Sequence, residues 1–298
     1  MTFQNRLDAA RLMVEAELSQ KLAVDTNVPA RLRAAMQEAV LGGGKRFRPF
    51  LVIESARLFG ANSTAAITVA TALEAIHCYS LVHDDLPSMD DDEFRRGRPT
   101  VWKAFDEWTA ILAGDALLTL AFEWLADANS AIPPAAVPKL VSELARAAGP
   151  SGMVGGQIID LEADKLGQPP QPTVNHIRRL QQMKTGALIR FACRAGPLLA
   201  GSTSEHLEAL TLYGEKLGLA FQISDDLLDA TGDAVETGKA VAKDAAAGKA
   251  TMVGLYGPEG ARTLLADTQS QARAVLACYG PKSAALIEAV DFMAVRRS

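Results

Sequence analysis

Apolar residues recur at helical spacing along almost the whole chain, and short clusters of Gly and Pro interrupt that pattern. From Ala30 to Val40, Leu32, Ala35, Met36, Ala39 and Val40 fall at i, i+3, i+4, i+7 and i+8, one face of an α-helix. The breakers LGGGKRFRP, LFGANST, AIPPAAVP, AAGPSGMVGG, KLGQPPQPT and RAGP separate the periodic blocks, as does a Gly/Ala/Lys stretch from Thr231 to Lys249. Thr173, and Ser63 or Thr64, stand where helix N-caps belong. No run alternates apolar and polar residues between hairpin turns. Ala and Leu supply much of a 49% hydrophobic fraction while aromatics make up 6%, a balance that favours close-packed helices over strands. With 298 residues the chain can bury a sizeable core, and no linker is long or polar enough to mark a boundary. The expected fold is all-α, a single domain over 1–298 built as a bundle of about ten or more helices.

A net charge of −5 and a pI near 5.5 argue against nucleic acid, which prefers a basic face. Phosphate binding, if present, must come from a local constellation. Cys78, Cys193 and Cys278 are odd in number and match no C-x-x-C pattern, so they read as buried free thiols in a reducing compartment. The N-terminal segment MTFQNRLDAARLMVEAEL is amphipathic and carries acids, unlike a signal peptide. No window of 18 residues is both apolar and uncharged; ILAGDALLTLAFEWLADA comes nearest, with Asp115, Glu123 and Asp127. The expectation is a cytoplasmic protein with neither nucleic-acid nor membrane partners.

The segment LVHDDLPSMDDDEFRRGRP, residues 81–99, places five Asp and one Glu within ten residues. Like charges about 4 Å apart repel by roughly 4 kcal/mol at an effective dielectric near 20, so such crowding needs a reason. A partial echo follows: SLVHDDLPSMD at 80–90 is matched by FQISDDLLDATGD at 221–233, each an apolar helix running into an Asp-Asp pair and a third Asp. Asp225 and Asp229, four apart, lie about 40° from each other around a helix and one turn apart. Asp84 and Asp90 are six apart and would face different ways on an unbroken helix. Pro87 should end the helix near Leu86 and let the chain carry Asp90 back beside Asp84. The cluster then sits at a helix C-terminus, where negative charge is unfavourable and a bound cation offsets the cost. A solvated acidic turn accounts for either motif alone, but poorly for the pair. Oxygen ligands of this kind suit Mg²⁺, which bridges one or two carboxylates to substrate phosphates.

A phosphate-bearing substrate needs donors as well. Arg95 and Arg96 follow the first motif; GGGKRFRP offers Gly44, Lys45, Arg46 and Arg48; Lys184, Thr185 and Gly186 come later, then Lys239, Lys243 and Lys249. Gly lets backbone approach an anion, and Arg grips phosphate oxygens bidentately.

Taken in order, GGGKRFRP, HCYSLVHDDLPSMDDDEFRRGRPT, LAGDALL, GGQIIDL, KTGALI and FQISDDLLD resemble the motif series of the short-chain trans-prenyltransferases of the polyprenyl synthetase family, most closely its bacterial farnesyl diphosphate-forming members. The resemblance runs from about Leu41 to Arg262. It implies an all-α bundle around a deep central cavity, a homodimer, and isoprenoid diphosphates as the small-molecule partners. Asp84 and Asp90, with Asp85 in support, and Asp225 would hold three Mg²⁺ ions against an allylic diphosphate. Arg95, Lys184, Thr185, Gln222 and Lys239 would contact that diphosphate, and Lys249 falls in the same basic stretch of the substrate set. Lys45, Arg48, His77 and Arg96, with Gly44, would bind isopentenyl diphosphate, and Phe221 would pack near its double bond. Thr185, Gln222 and carbonyls at a kink near Lys184 would face the carbocation, and the released diphosphate would accept the proton.

Chain length would be set beneath the first motif. Ser80 lies one turn below Asp84 and Tyr79 one residue lower, about 7.5 Å along the axis. In this family a bulky aromatic there, with a two-residue-longer first motif, goes with a C15 product. Two departures stand out: GKAT where GKST is usual, and a terminal VRRS that leaves Arg296 and Arg297 without an assigned role.

Competing readings fare less well. Glu74-Ala-Ile-His77 matches the E-x-x-H of di-iron bundles, but the chain has no second copy. DDDEFRRGR lacks the spaced ligands of a calcium loop. A terpene cyclase would carry a different second motif and would not need Lys45, Arg48 and Arg96. A non-catalytic partner subunit usually loses an Asp motif, and both are intact. Geranyl or geranylgeranyl diphosphate synthesis remains as the alternative within the family. The stretch from Thr231 to Lys249 reads as a lid.

Overall fold

The computed structural model describes residues 1–231 and 251–294. Lys239, Lys243 and Lys249, the stretch read as a lid beyond Thr231, and Arg296 and Arg297 lie outside the described residues. The chain divides into two compact units, Met1–Ser142 with Ala195–Gly201, and Glu143–Arg194 with Ser202–Ser298. Helices dominate both, as the periodicity predicts.

The first unit contains α1 (Phe3–Val24), α2 (Ala30–Leu41), α3 (Phe47–Leu58), α4 (Ser63–Asp84), a short α5 (Val101–Ala104) and α6 (Glu107–Ala126). Its centre is α4, packed between α3 and α6. Apolar side chains surround this helix, so nearly every residue from Ala65 to Val82 is buried. Glu74, the one acid within it before the terminal Asp84, is 2% exposed and paired with Arg46 at 2.7 Å. The cap is Asn62, whose Oδ1 accepts from Ala65 N at 3.0 Å, rather than Ser63 or Thr64. Helical dihedrals begin one residue earlier than the sequence suggests, so Asn62 holds the extended position that a cap requires. On α2, the expected face buries Ala35, Met36 and Val40.

The second unit is built from α8 (Met153–Leu166), α9 (Val174–Gln181), a π turn (Gln182–Gly186), α11 (Ser204–Thr231), α12 (Met252–Leu276), a 3₁₀ segment (Ala277–Ser283) and α13 (Ala284–Ala294). Helices α7 (Val137–Ala148) and α10 (Ala187–Leu199) are divided between the two units. Thr173 caps α9, accepting from His176 N at 3.2 Å, as expected. The α11–α12 pairing is the most extensive here, and Ala220, Ile223 and Leu227 of α11 meet Met252, Val253 and Leu265 of α12 in one apolar cluster. Tyr213 is fully buried and donates its hydroxyl to Leu286 O at 2.6 Å.

All three cysteines are free, but only Cys78 and Cys193 are buried; Cys278, on the 3₁₀ segment, is exposed and corrects the expectation of three buried thiols. Among the described residues, two helices, α4 and α6, are long and apolar enough to cross a membrane by length and composition alone. Most of α4 is buried within the protein, whereas α6 exposes Trp108, Ile111 and Leu112.

Candidate active site

The first acidic motif grows out of the end of α4. Asp84 is the last helical residue, and Asp85 forms the cap with its amide on Leu81 O at 3.0 Å. With Pro87 blocking continuation, the chain folds back on the helix end. Leu86 N bonds His83 O at 3.2 Å, Asp90 N bonds Asp84 O at 2.8 Å and Asp92 N bonds Asp85 O at 3.1 Å. The helix carbonyls are thereby satisfied, and Asp90 arrives beside Asp84 as the position of Pro87 predicts. Thr100 Oγ1 and Trp102 Nε1 both donate to Asp92 O at 2.9 Å, which holds the far side of the loop.

A two-residue ladder follows, β1 (Phe94–Arg95) antiparallel to β2 (Arg98–Pro99). Arg96 and Gly97 form its turn with φ of 54° and 75°, the twist a tight hairpin needs. The turn sends the two arginines to different partners. Arg95 Nε donates to Asp85 Oδ1 at 2.7 Å, with Nη2 2.5 Å from the same oxygen. Arg96 donates to Gly43 O. A Cβ on Gly44 would lie 2.3 Å from Arg96 Nη1, and Gly44 has a φ of 122°. The positive φ requires glycine here, and the space a Cβ would take holds the end of the Arg96 side chain.

Burial pushes the Asp85 carboxyl up, the Arg95 hydrogen bond and charge pull it back, and burial prevails. Arg95 is itself raised: burial opposes this, but its bond to Asp85 and the surrounding Asp85, Asp92 and Asp84 charges outweigh it. Asp85 is therefore held by the protein through Arg95.

The basic loop sorts its residues by depth. Lys45 is exposed and Arg48 half-buried, while Arg46 turns inward. Arg46 donates to Glu74 at 2.7 Å and to Val40 O, and lies 3.4 Å from Glu15. Of the cations in GGGKRFRP, Arg46 is thus a core residue and not a phosphate donor. The same pairing occupies Glu74, disposing of the E-x-x-H reading. Arg48 Nη1 lies 3.3 Å from His77 Nε2. Burial, then the charges of Arg48, Arg96, Arg46 and Arg95, holds the imidazole well below its usual range. Neutral His77 accepts from Arg48 through Nε2, since a guanidinium can only donate. One turn on, Ser80 Oγ donates to His77 O at 2.9 Å. Tyr79 is buried, its ring meeting His83 edge-on at 5.8 Å. Burial and the nearby Asp84 push its phenol up to about 12.

In the second unit the π turn carries Lys184 and Thr185. Such turns widen a helix and recur at functional positions, and this one realises the kink expected near Lys184. It is pressed from two sides. A Cβ on Gly156 of α8 would fall 2.2 Å from Lys184 N, and one on Gly218 of α11 would fall 3.1 Å from Gly186 Cα. One turn after Gly156, Asp160 meets Lys184 Nζ at 2.5 Å. Asp160 had no role from the sequence, although Gly156 and Asp160 stand four apart in GGQIIDL, on one helix face. Gln157 from the same motif is buried, and among the described residues neither side-chain polar atom has a hydrogen-bond partner.

The second acidic motif stays helical throughout, because α11 continues unbroken to Thr231. Phe221, Gln222 and Asp225 are half-buried and Asp229 is exposed. Asp226 is committed elsewhere: its Oδ2 accepts from Met252 N at 2.8 Å and from Gln181 Nε2 at 3.4 Å.

Among the described residues, no group of three or more His, Cys, Asp or Glu side chains forms a closed cage for a metal. Asp84 and Asp90, joined through their backbones at the end of α4, are oxygen donors of the kind taken by an ion that retains several waters and completes its shell with substrate oxygens.

Residues 29–291 match the polyprenyl synthetase family. The farnesyl diphosphate synthase of Geobacillus stearothermophilus is 40% identical over 298 residues, covering 96% of this chain and 99% of the relative. That of Escherichia coli (strain K12) is 43% identical over 275 residues, covering 92% of this chain and 91% of its own. Geranylgeranyl pyrophosphate synthase 9 of Arabidopsis thaliana is 40% identical over 292 residues, covering 96% of this chain and 81% of the plant protein. Among solved structures, an FPP/GFPP synthase from Zymomonas mobilis superposes with a TM-score of 0.89 at 40% identity, covering 98% of each chain. With both acidic motifs, the basic loop and the π-turn lysine in place, the chain belongs to the polyprenyl synthetase family of prenyltransferases.

Proposed function

We propose that this protein condenses isopentenyl diphosphate head-to-tail with dimethylallyl and then geranyl diphosphate, releasing farnesyl diphosphate. The whole chain would act as one all-α prenyltransferase domain, cytoplasmic and homodimeric. The observation that carries the product assignment is Tyr79, 5% exposed and five residues before Asp84 on the wall of α4.

Asp84 and Asp90, with Asp85 behind Arg95, and Asp225 would hold Mg²⁺ against the allylic diphosphate. When bound, the ions supply Lewis acidity to the departing diphosphate oxygens. Lys184, fixed by Asp160, would place its ammonium on the same leaving group, with Arg95 and Lys239 beside it. Preorganised donors of this kind cost no reorganisation as charge develops. Lys45, Arg48 and Arg96 would bind isopentenyl diphosphate. His77, neutral and accepting from Arg48, orients that guanidinium. Thr185 and Gln222, with carbonyls that the π turn leaves without the usual helical donor, would face the allylic cation. Phe221 would cover the attacking double bond. The cation left by C–C bond formation would lose a proton from its adjacent carbon to the released diphosphate, forming the new double bond.

The test is product analysis with Mg²⁺, isopentenyl diphosphate and labelled dimethylallyl diphosphate, with EDTA as control. A metal-dependent C15 alcohol after phosphatase treatment is expected. A C10 or C20 product would retain the reaction and remove Tyr79 as the floor; folded protein with no product would overturn the reading. Tyr79→Ala is expected to shift product toward C20 and longer, measured by the same chromatography.

A further inference from the structure

The second unit contains a cavity of about 290 Å³ that none of these roles uses. It is lined by Arg178 and Gln181 of α9, Gly186 of the π turn, Lys216 and Leu219 of α11, and Thr268 of α12. At the small end of ligand-binding cavities and mixed in polarity, it suits a compact polar molecule rather than a prenyl chain.

Its innermost polar group is unusual. Gln181 is 6% exposed; its Nε2 donates to Asp226, but among the described residues its Oε1 has no hydrogen-bond partner. A buried amide oxygen left unpaired is costly and calls for a donor. The three cations on the wall differ in their commitments. Arg190 lies 3.7 Å from Glu215, and Asp267 accepts from Gln271 at 2.7 Å. Among the described residues, the side chains of Arg178 and Lys216 have no such partner. Thr268 donates to Leu264 O at 2.7 Å, so its remaining hydroxyl lone pairs can accept. The cavity thus offers two cations to an anion, and buried acceptors to an O–H or N–H on the same molecule.

We propose that this cavity is a second ligand site that binds a small phosphate monoester bearing a free hydroxyl or amine. The phosphate lies between Arg178 and Lys216, and the donor group reaches Gln181 Oε1. Arg supplies a fork that matches phosphate oxygens, and Lys a point charge. The site adjoins the turn that carries Lys184 without using Lys184 or Thr185.

The test is calorimetric titration of the full chain with glycerol 3-phosphate in EDTA, compared with glycerol and inorganic phosphate. Saturable binding is expected for glycerol 3-phosphate, with inorganic phosphate at least about fivefold weaker and glycerol silent. Gln181→Leu, and separately Arg178→Ala with Lys216→Ala, should each weaken binding at least about tenfold. The surface double variant serves where Gln181→Leu fails to fold, and Lys45→Ala should leave the affinity unchanged. No binding at about 10 mM, equal affinity for inorganic phosphate, unchanged affinity in the double variant, or loss on Lys45→Ala would each overturn the site. None of these outcomes is read from turnover, so failure here leaves the prenyl-transfer reading untouched.

Discussion

The two acidic motifs look alike in sequence and are built differently. In the first, α4 stops at Asp84 and a loop closed by backbone hydrogen bonds returns Asp90 to the helix end. In the second, α11 runs through Asp225 and Asp229 without a break, and ordinary helical spacing does the gathering. They nevertheless share a division of labour. The second Asp of each pair is committed to the protein, Asp85 to Arg95 and Asp226 to the amide of Met252. Under the proposed function, the second carboxylate of each pair anchors its element and the first is the one assigned to hold metal.

That comparison can be broken most directly by exchanging carboxylate for amide at the first position of each pair. Asp84→Asn and Asp225→Asn should each lower kcat by about 10³-fold, the scale of losing one preorganised electrostatic group, while urea midpoints stay near wild type. Equal losses at Asp85 and Asp226 with no change in stability would erase the proposed division.

A smaller loss is expected from Gly156→Ala, whose new methyl must displace the backbone of Lys184. A displacement of about 1 Å at a catalytic group costs roughly 10²-fold, so steady-state kinetics should show a fall in kcat of that size. If the variant retains full activity, the close approach of α8 does not position Lys184.

The anchoring carboxylates should show themselves in stability. Asp85→Ala and Asp226→Ala should each cost about 1.5–3 kcal/mol, as for charge-assisted hydrogen bonds, measured by urea unfolding. Asp85 should sit at the upper end, because its loss also leaves the largely buried guanidinium of Arg95 without its closest partner.

The smallest effect is one of pH. His77, in the first unit, is held well below its unfolded value by burial and by Arg48. The unfolded chain then takes up a proton below about pH 6.5 that the native state refuses. His77 thus adds stability that is present above pH 6.5 and is lost as pH falls toward its folded value. The slope is at most about 1.4 kcal/mol per pH unit. His77→Gln should flatten it in urea titrations between pH 7 and 5.

Much of this was legible in the residues. The period of the apolar positions fixed the helices, and Pro87 located the end of α4, because both act within a few residues of themselves. Thr173 as a cap and the four-residue spacing of Asp225 and Asp229 are local in the same sense. The misreadings are equally instructive. Arg46 stands in a basic loop between Lys45 and Phe47, yet a left-handed backbone with φ of 50° turns it inward to Glu74, 28 positions away. Asp160 was passed over because its partner Lys184 is 24 positions distant and across a helix pair. Cys278 was placed inside on composition, but the 3₁₀ segment presents it to solvent.

The sequence by itself determined the helical class, the two acidic motifs and the cations that accompany them, since periodicity, breakers and charge are written residue by residue. Only the tertiary structure decided which charged groups are spent inside the protein. That choice depends on which helices come close enough to exclude water. There, an ion must find a partner, and Arg46 with Glu74, Arg95 with Asp85 and Lys184 with Asp160 are pairs that no local pattern announces.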